Sequence, residues 1–198
     1  MPPLLLASAS PARGALLRNA GLAFEVMPAR IDEAVLRAAL TAEGARPRDV
    51  ADCLAEQKAL KISRRMPEAL VIGSDQILDV AGEIFSKPET RQSARAQLER
   101  LRGMRHRLCC AAVVCQDGTA LWRHVDEVRL SMRAFSDAYL DAYLDRNWPA
   151  IGGCVGGYQL EGEGVRLFAH IEGPYFSVLG LPLIPLLNYL ALRGDIEG

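Results

Sequence analysis

Leu4-Leu5-Leu6-Ala7 is the first apolar run of the chain and predicts a short buried strand. Ser8-Ala9-Ser10-Pro11 breaks it, with Ser10 suited to cap a helix and Pro11 suited to its first turn. A helix is therefore expected from Ala12 to Asn19, carrying Leu16 and Leu17 on one side and stopping near Gly21. Phe24–Met27 predicts a second short strand. From about Arg48 to Arg65 the positions Val50, Leu54, Lys58 and Ile62 recur every four residues and drift slowly around one side of a helix. Ala69–Gly73 reads as a buried strand ending in Ser74-Asp75-Gln76, and Gly82–Phe85 as a strand leading into Ser86-Lys87-Pro88. A helix follows from Thr90 to Arg102, with Gly103 as its stop.

The pattern then changes. Leu108–Cys115 is continuously apolar and Ala120–Met132 is a longer β-like run, with Asp117-Gly118 between them as a hairpin turn. Ser136 caps a helix reaching about Arg146, and residues 152–157 form a glycine-rich turn. Val165–Ile171 and Tyr175–Leu179 are expected to be strands joined at Gly173-Pro174, and Pro182 opens a last helix ending near Arg193. Alternating helices and strands followed by hairpins predict a mixed α/β sheet in one domain spanning residues 1–198, not a purely parallel doubly wound fold.

Composition narrows the function classes. The chain has 198 residues, half of them hydrophobic and a quarter charged, which suits a sizeable core and argues against disorder. The formal net charge is -1 with no basic block, so a long nucleic acid held through its phosphates is not expected, whereas a small anion needs only a few local cations. The five cysteines (Cys53, Cys109, Cys110, Cys115, Cys154) form no C-x-x-C pair, and neither a disulfide framework nor a zinc site is predicted. No run has the roughly 18–20 apolar residues that a membrane span requires. The expectation is a soluble protein of a reducing compartment, the cytoplasm. His106, His124 and His170 read as structural or surface residues.

Five places carry candidate chemistry. Ser8-Ala9-Ser10-Pro11-Ala12-Arg13 lies where a strand gives way to a helix, whose free N–H groups and positive dipole end favour an anion. Arg13 can fork onto two phosphate oxygens. The alternative is a plain capped helix with a surface arginine. Ile31-Asp32-Glu33 offers carboxylates, though acidic pairs after a strand are also common solvated loops. Lys58 has either a snorkelling stem or a head aimed into a cleft. Asp75 closes a buried strand, where a carboxylate can hold a divalent cation or take a proton from water, or simply form a turn. Lys87 precedes Pro88, which favours an extended, reproducible direction for it. Together these supply carboxylates and cations suited to splitting a phosphoanhydride. No G-x-x-x-x-G-K-[ST] is present, which disfavours a P-loop enzyme.

In combination, LASASPARGALL (6–17), IDE (31–33), LAEQKAL (54–60), VIGSDQIL (71–78), FSKP (85–88), GGYQLEGEG (156–164) and GLPLIPLL (180–187) resemble the Maf family of nucleotide pyrophosphatases along essentially the whole chain. The resemblance implies an elongated twisted mixed sheet flanked by helices, with two lobes around a cleft. It implies hydrolysis between the α- and β-phosphates of a nucleoside triphosphate with a divalent cation (Mg²⁺, Mn²⁺ or Co²⁺), and often a homodimer. Asp75 matches the family's proton acceptor; Ser8, Arg13, Lys58 and Lys87 match its phosphate-contacting positions; Glu33 matches an acidic position near the metal, which makes Glu33 and Asp75 the expected metal ligands.

Some positions depart from the family's commoner patterns. Ala12 stands at a position associated with substrate choice, where many members carry arginine. Gln76 replaces the threonine, Glu161 the glutamine and Cys154 the lysine of the branch that takes thymidine and uridine nucleotides. These three are more similar to the branch that takes 7-methylguanosine triphosphate. A glutamate can accept from the N1–H and amino group of guanine, whereas a glutamine suits a pyrimidine imide. The competing readings are a dTTP/UTP pyrophosphatase of the same family and a nucleotide-binding regulator of septum formation.

Overall fold

A computed structural model describes residues 2–197. Its centre is a seven-stranded mixed sheet in the order β2-β1-β3-β5-β6-β7, with β4 attached to β3. The strands are β1 (Leu4–Leu6), β2 (Glu25–Val26), β3 (Leu70–Val80), β4 (Glu83–Phe85), β5 (Arg105–Gln116), β6 (Thr119–Met132) and β7 (Phe168–Glu172). β1 runs parallel to β2 and β3, and every other pairing is antiparallel. Seven helices surround the sheet: α1 (Pro11–Asn19), α2 (Glu33–Ala42), α3 (Pro47–Ser63), α4 (Arg91–Leu101), α5 (Asp137–Asn147), α6 (Tyr175–Val178) and α7 (Leu183–Arg193). Among the described residues no helix is long and apolar enough to cross a membrane.

β5 explains why its sequence is an unbroken apolar run. Cys109, Ala111, Val113 and Cys115 face α3, while Ala112 and Val114 face a cluster built from α1 and α7, so both faces of the strand are buried. The hairpin between β5 and β6 turns through Asp117 and Gly118, both at positive φ, as a tight two-residue turn requires. A separate cluster under α4 and α5 fills the far end of the sheet, with Leu98, Leu101, Leu140 and Leu144 fully buried.

Three features depart from the expected pattern. Residues 33–42 form a helix where no element was predicted. Its N-cap is Asp32, whose side chain accepts from the Val35 N–H at 3.0 Å. No residue of α2 is fully buried; Leu36 and Leu40 lie half-buried against the cluster under α3. Tyr175–Leu179, expected as a strand, is instead the short helix α6, and β7 begins at Phe168 rather than Val165 because residues 163–167 form a 3₁₀ turn. β3 does not end at Gly73; it continues to Val80 because β5 pairs with it through Arg107.

That continuation shapes one edge of the sheet. β1 pairs with β3 only at residues 70–72, and β4 only at residues 78–80. Between them, residues 73–77 of β3 have a strand on one side and an open edge on the other.

Candidate active site

The open edge of β3 faces a cleft of about 940 Å³, and every site residue expected from the sequence lines it: Ser8, Ala12, Arg13, Glu33, Lys58, Asp75, Gln76, Lys87 and Glu161. Asp75 therefore sits in the middle of a long strand, not at a strand end. It reaches the cleft because neither β1 nor β4 covers that stretch of edge. Alternation along β3 sends Asp75 to the α3 face and Gln76 to the opposite face, and the gap opens both to the same cleft.

The α3 face is built on Gly73. A Cβ there would lie 2.1 Å from the Ala55 carbonyl oxygen, so glycine alone lets α3 press its backbone onto the strand. Ala55 and Ala59, small and fully buried, complete that close approach. Lys58 lies one helical turn beyond Ala55 and Asp75 two residues beyond Gly73, and the contact brings their side chains together. Lys58 Nζ donates to Asp75 Oδ1 at 2.6 Å and lies 2.9 Å from Glu33 Oε1. The Lys58 and Asp75 side chains are only 7% and 9% exposed, whereas Glu33 is 47% exposed at the start of α2. The lysine head is thus aimed into the cleft between two carboxylates. Burial opposes ionisation of Glu33, but the Lys58 ammonium, with Lys87 and Arg13 farther away, outweighs it and holds that carboxyl below its ordinary value.

The phosphate-binding candidates lie at the start of α1. Ser10 caps the helix, its Oγ accepting from the Arg13 N–H, and Pro11 occupies the first turn. Arg13 is buried, not a surface arginine. Its Nη1 donates to Ser8 Oγ at 3.0 Å and to the Ser74 carbonyl at 2.9 Å, and its Nε donates to the Gly180 carbonyl at 2.7 Å. The Ser74 hydroxyl donates to the same Gly180 carbonyl at 3.0 Å. Gly180 has φ +104°, a conformation that glycine adopts readily and that other residues rarely do. Arg13 thereby ties α1, the free edge of β3 and the loop before α7 to one another, leaving Nη2 without a bond among the described residues.

Lys87 lies in the irregular segment after β4, which α4 steadies where Gln97 Nε2 donates to the Ser86 carbonyl at 2.8 Å. Gln76 Nε2 donates to the carbonyls of Ser177 and Val178 at 2.8 and 2.9 Å. Cys154 also lines the cleft; burial, and then the negative charge of Glu161, raise its thiol above the ordinary value. Sequence reasoning missed two cations of the lining, Arg30 and Arg37, which form no ion pair among the described residues. Arg37 lies four residues beyond Glu33 on α2, a spacing that identifies it only once that helix is known. His106 is buried against Tyr158 and its imidazole is pushed down to about 4 by desolvation, in keeping with a structural role.

Could the carboxylates hold a cation? Among the described residues no cluster of three His, Cys, Asp or Glu side chains offers a closed metal site. Glu33 and Asp75 both bond the Lys58 ammonium, at 2.9 and 2.6 Å, so the two carboxylates stand on the same side of the cleft. Two carboxylates with substrate oxygens and water completing the shell is the arrangement that Mg²⁺ tolerates best.

Five cationic side chains (Arg13, Arg30, Arg37, Lys58, Lys87) and four carboxylates (Glu33, Asp75, Glu89, Glu161) surround the cleft, a setting for a charged ligand that carries or meets a cation. The family model of the Maf-like proteins matches residues 3–192. A nucleoside triphosphate pyrophosphatase of Roseobacter denitrificans is 56% identical over 194 residues, covering 98% of each chain. Another of that name, from Ruegeria pomeroyi, is 54% identical over 195 residues, again covering 98% of each. A 7-methyl-GTP pyrophosphatase of Rhizobium etli is 47% identical over 197 residues, covering 100% of this chain and 99% of its own. The match spans every element that supplies the cleft, and the chain belongs to the Maf family.

Proposed function

We propose that this protein hydrolyses the α–β phosphoanhydride of a nucleoside triphosphate, releasing a nucleoside monophosphate and pyrophosphate, with 7-methyl-GTP as the preferred substrate. The observation that carries the reading is Lys58 held between Asp75 and Glu33 at the open edge of β3, inside a cleft large enough for a nucleotide. The names of the relatives support the reaction, and the name of the Rhizobium etli protein supports the methylated base.

Each residue has a task in this reaction. Asp75 accepts the proton of the attacking water, whose oxygen joins phosphorus as the bridging P–O bond breaks. Lys58 fixes the direction of Asp75 through its hydrogen bond to Oδ1. The start of α1 and the free edge of Arg13 receive phosphate oxygens, and Lys87 offsets the charge that develops on them. Glu33 and Asp75 are the residues that would hold a divalent cation together with phosphate oxygens. When bound, such a cation supplies charge neutralisation and a more acidic water. Gln76 and Glu161 face the base, and Ala12 leaves room beside them.

The deciding experiment is pyrophosphate release from a panel of canonical and methylated nucleoside triphosphates with Mg²⁺, Mn²⁺ or Co²⁺. Preferential turnover of 7-methyl-GTP is expected. Preference for dTTP or UTP would keep the reaction and overturn the base. Nucleotide binding without any turnover would point instead to a regulator. Glu161→Gln should shift the substrate ranking by about tenfold, the worth of one charged hydrogen bond, and slow the best remaining substrate less.

A further inference from the structure

Gln76 of β3 is directly opposite Cys110 of β5, which in turn is directly opposite Asp126 of β6. Residues paired in this way point to one face, so the three form a row across the sheet. Helix α6 packs on β5 and β6 over that row, with Ser177 fully buried. Ser177 bridges the row. Its Oγ donates to Asp126 Oδ2 at 2.5 Å, while its backbone carbonyl, with that of Val178, accepts from Gln76 Nε2. The other carboxylate oxygen of Asp126 lies 2.8 Å from His124 Nε2, which must carry the proton because a carboxylate only accepts.

Two carbonyl oxygens facing one end of the Gln76 amide decide its orientation. Only the NH₂ end can satisfy both, since the amide oxygen would be repelled by them. Both amide hydrogens are then used. Among the described residues no donor reaches Gln76 Oε1, and Gln76 lines the cleft. The side chain therefore has acceptor capacity left and no donor capacity.

We infer that Gln76 is a fixed acceptor for the nucleobase, and that Asp126 and Ser177 are positioning residues that make it so by clamping α6. Glu161, the other polar side chain assigned to the base, is also an acceptor when ionised. A base that meets acceptors on the cleft wall must bring donors of its own. Guanine does so through N1–H and its 2-amino group. Hypoxanthine lacks the amino group, and xanthine places a carbonyl there. The amino group at carbon 2 is thus the feature this cleft selects, whether or not N7 is methylated. This rests on the nucleotide reading of the cleft.

The test is calorimetric binding and steady-state turnover of GTP, ITP and XTP by the full chain, for the wild type, Asp126→Ala, Asp126→Asn and Ser177→Ala. In the wild type GTP should bind about tenfold or more tightly than ITP or XTP, the value of one paired donor. Asp126→Ala and Ser177→Ala should collapse that ratio and raise KM for GTP more than they lower kcat. Asp126→Asn, which still accepts from Ser177, should restore most of the ratio. Equal affinity of the wild type for the three nucleotides, or an unchanged ratio in folded Asp126→Ala, would overturn the inference. Turnover without base ranking defeats the inference alone, whereas base-ranked binding without turnover defeats the pyrophosphatase reading alone.

Discussion

The two faces of β3 at its open edge use opposite physics. On the α3 face, Asp75, Lys58 and Glu33 form a charged cluster, and a glycine and two alanines press the first two together. On the α6 face, Gln76 meets two backbone carbonyls through a neutral amide, and the nearby carboxylate of Asp126 is spent on a hydroxyl and an imidazole. The charged face suits bond breaking, where charge develops and must be countered. The neutral amide of Gln76 suits discrimination, where the cost of leaving a group unpaired separates one base from another. The strand joins them because its neighbouring residues point to opposite sides, and the missing edge partner lets both reach one ligand.

That division can be attacked from its charged side first. Asp75→Asn keeps the shape and removes the proposed proton acceptor, and turnover should fall by about 10³-fold or more while circular dichroism is unchanged. Near-normal pyrophosphate release would assign the chemistry elsewhere. Lys58→Met leaves Asp75 and Glu33 facing each other without a counter-charge. It should lower stability by about 2–4 kcal/mol in urea unfolding, as removal of one partner from a buried pair does, and adding Asp75→Asn should recover part of that loss. Gly73→Ala asks whether the close approach matters. The added methyl collides with the Ala55 carbonyl, so a loss of about 1–3 kcal/mol is expected, with turnover reduced because α3 and Lys58 must retreat. If turnover is untouched, the alignment of Lys58 does not depend on the contact.

The smallest effect concerns acid. Because the Glu33 carboxyl titrates lower in the folded chain than its ordinary value of 4.5, its stabilising contribution is fully present above that value. It disappears as pH falls through the lower folded value. Glu33 is half exposed, so the contribution should be under about 1 kcal/mol and weaken in salt. Stability of Glu33→Gln should match the wild type in strong acid and fall slightly behind it above pH 4.5. A difference that grows as pH falls would reverse the assigned sign.

Much of this arrangement is legible in the sequence, and the gaps have physical causes. The start of α1 announces itself because capping is local: Ser10 and Pro11 carry the signal alone. The β5–β6 hairpin does too, since Asp117-Gly118 requires that turn. β3 looks shorter than it is because Gly73-Ser74-Asp75-Gln76 reads as a polar break, whereas its pairing to β5 is set by a strand over thirty residues away. α6 has β-favouring residues, Tyr-Phe-Ser-Val, and becomes helical where it docks on β5 and β6 and ties Ser177 to Asp126. The expected site residues share one cleft, but nothing local shows that Lys58 would stand between two carboxylates or that Gln76 would be locked.

An unpaired stretch of strand is a hazard as well as an opening, because a second chain can add to it and begin a growing sheet. The Ser74 carbonyl on this stretch is already taken by Arg13, and the side chains beside it are buried charges. An intruding strand would have to strip the guanidinium from its carbonyl partners and bury the carboxylates of the cleft. The charged groups that line the cleft thus also block strand addition along this stretch of edge. Losing Arg13 would leave the Ser74 carbonyl open to an incoming strand.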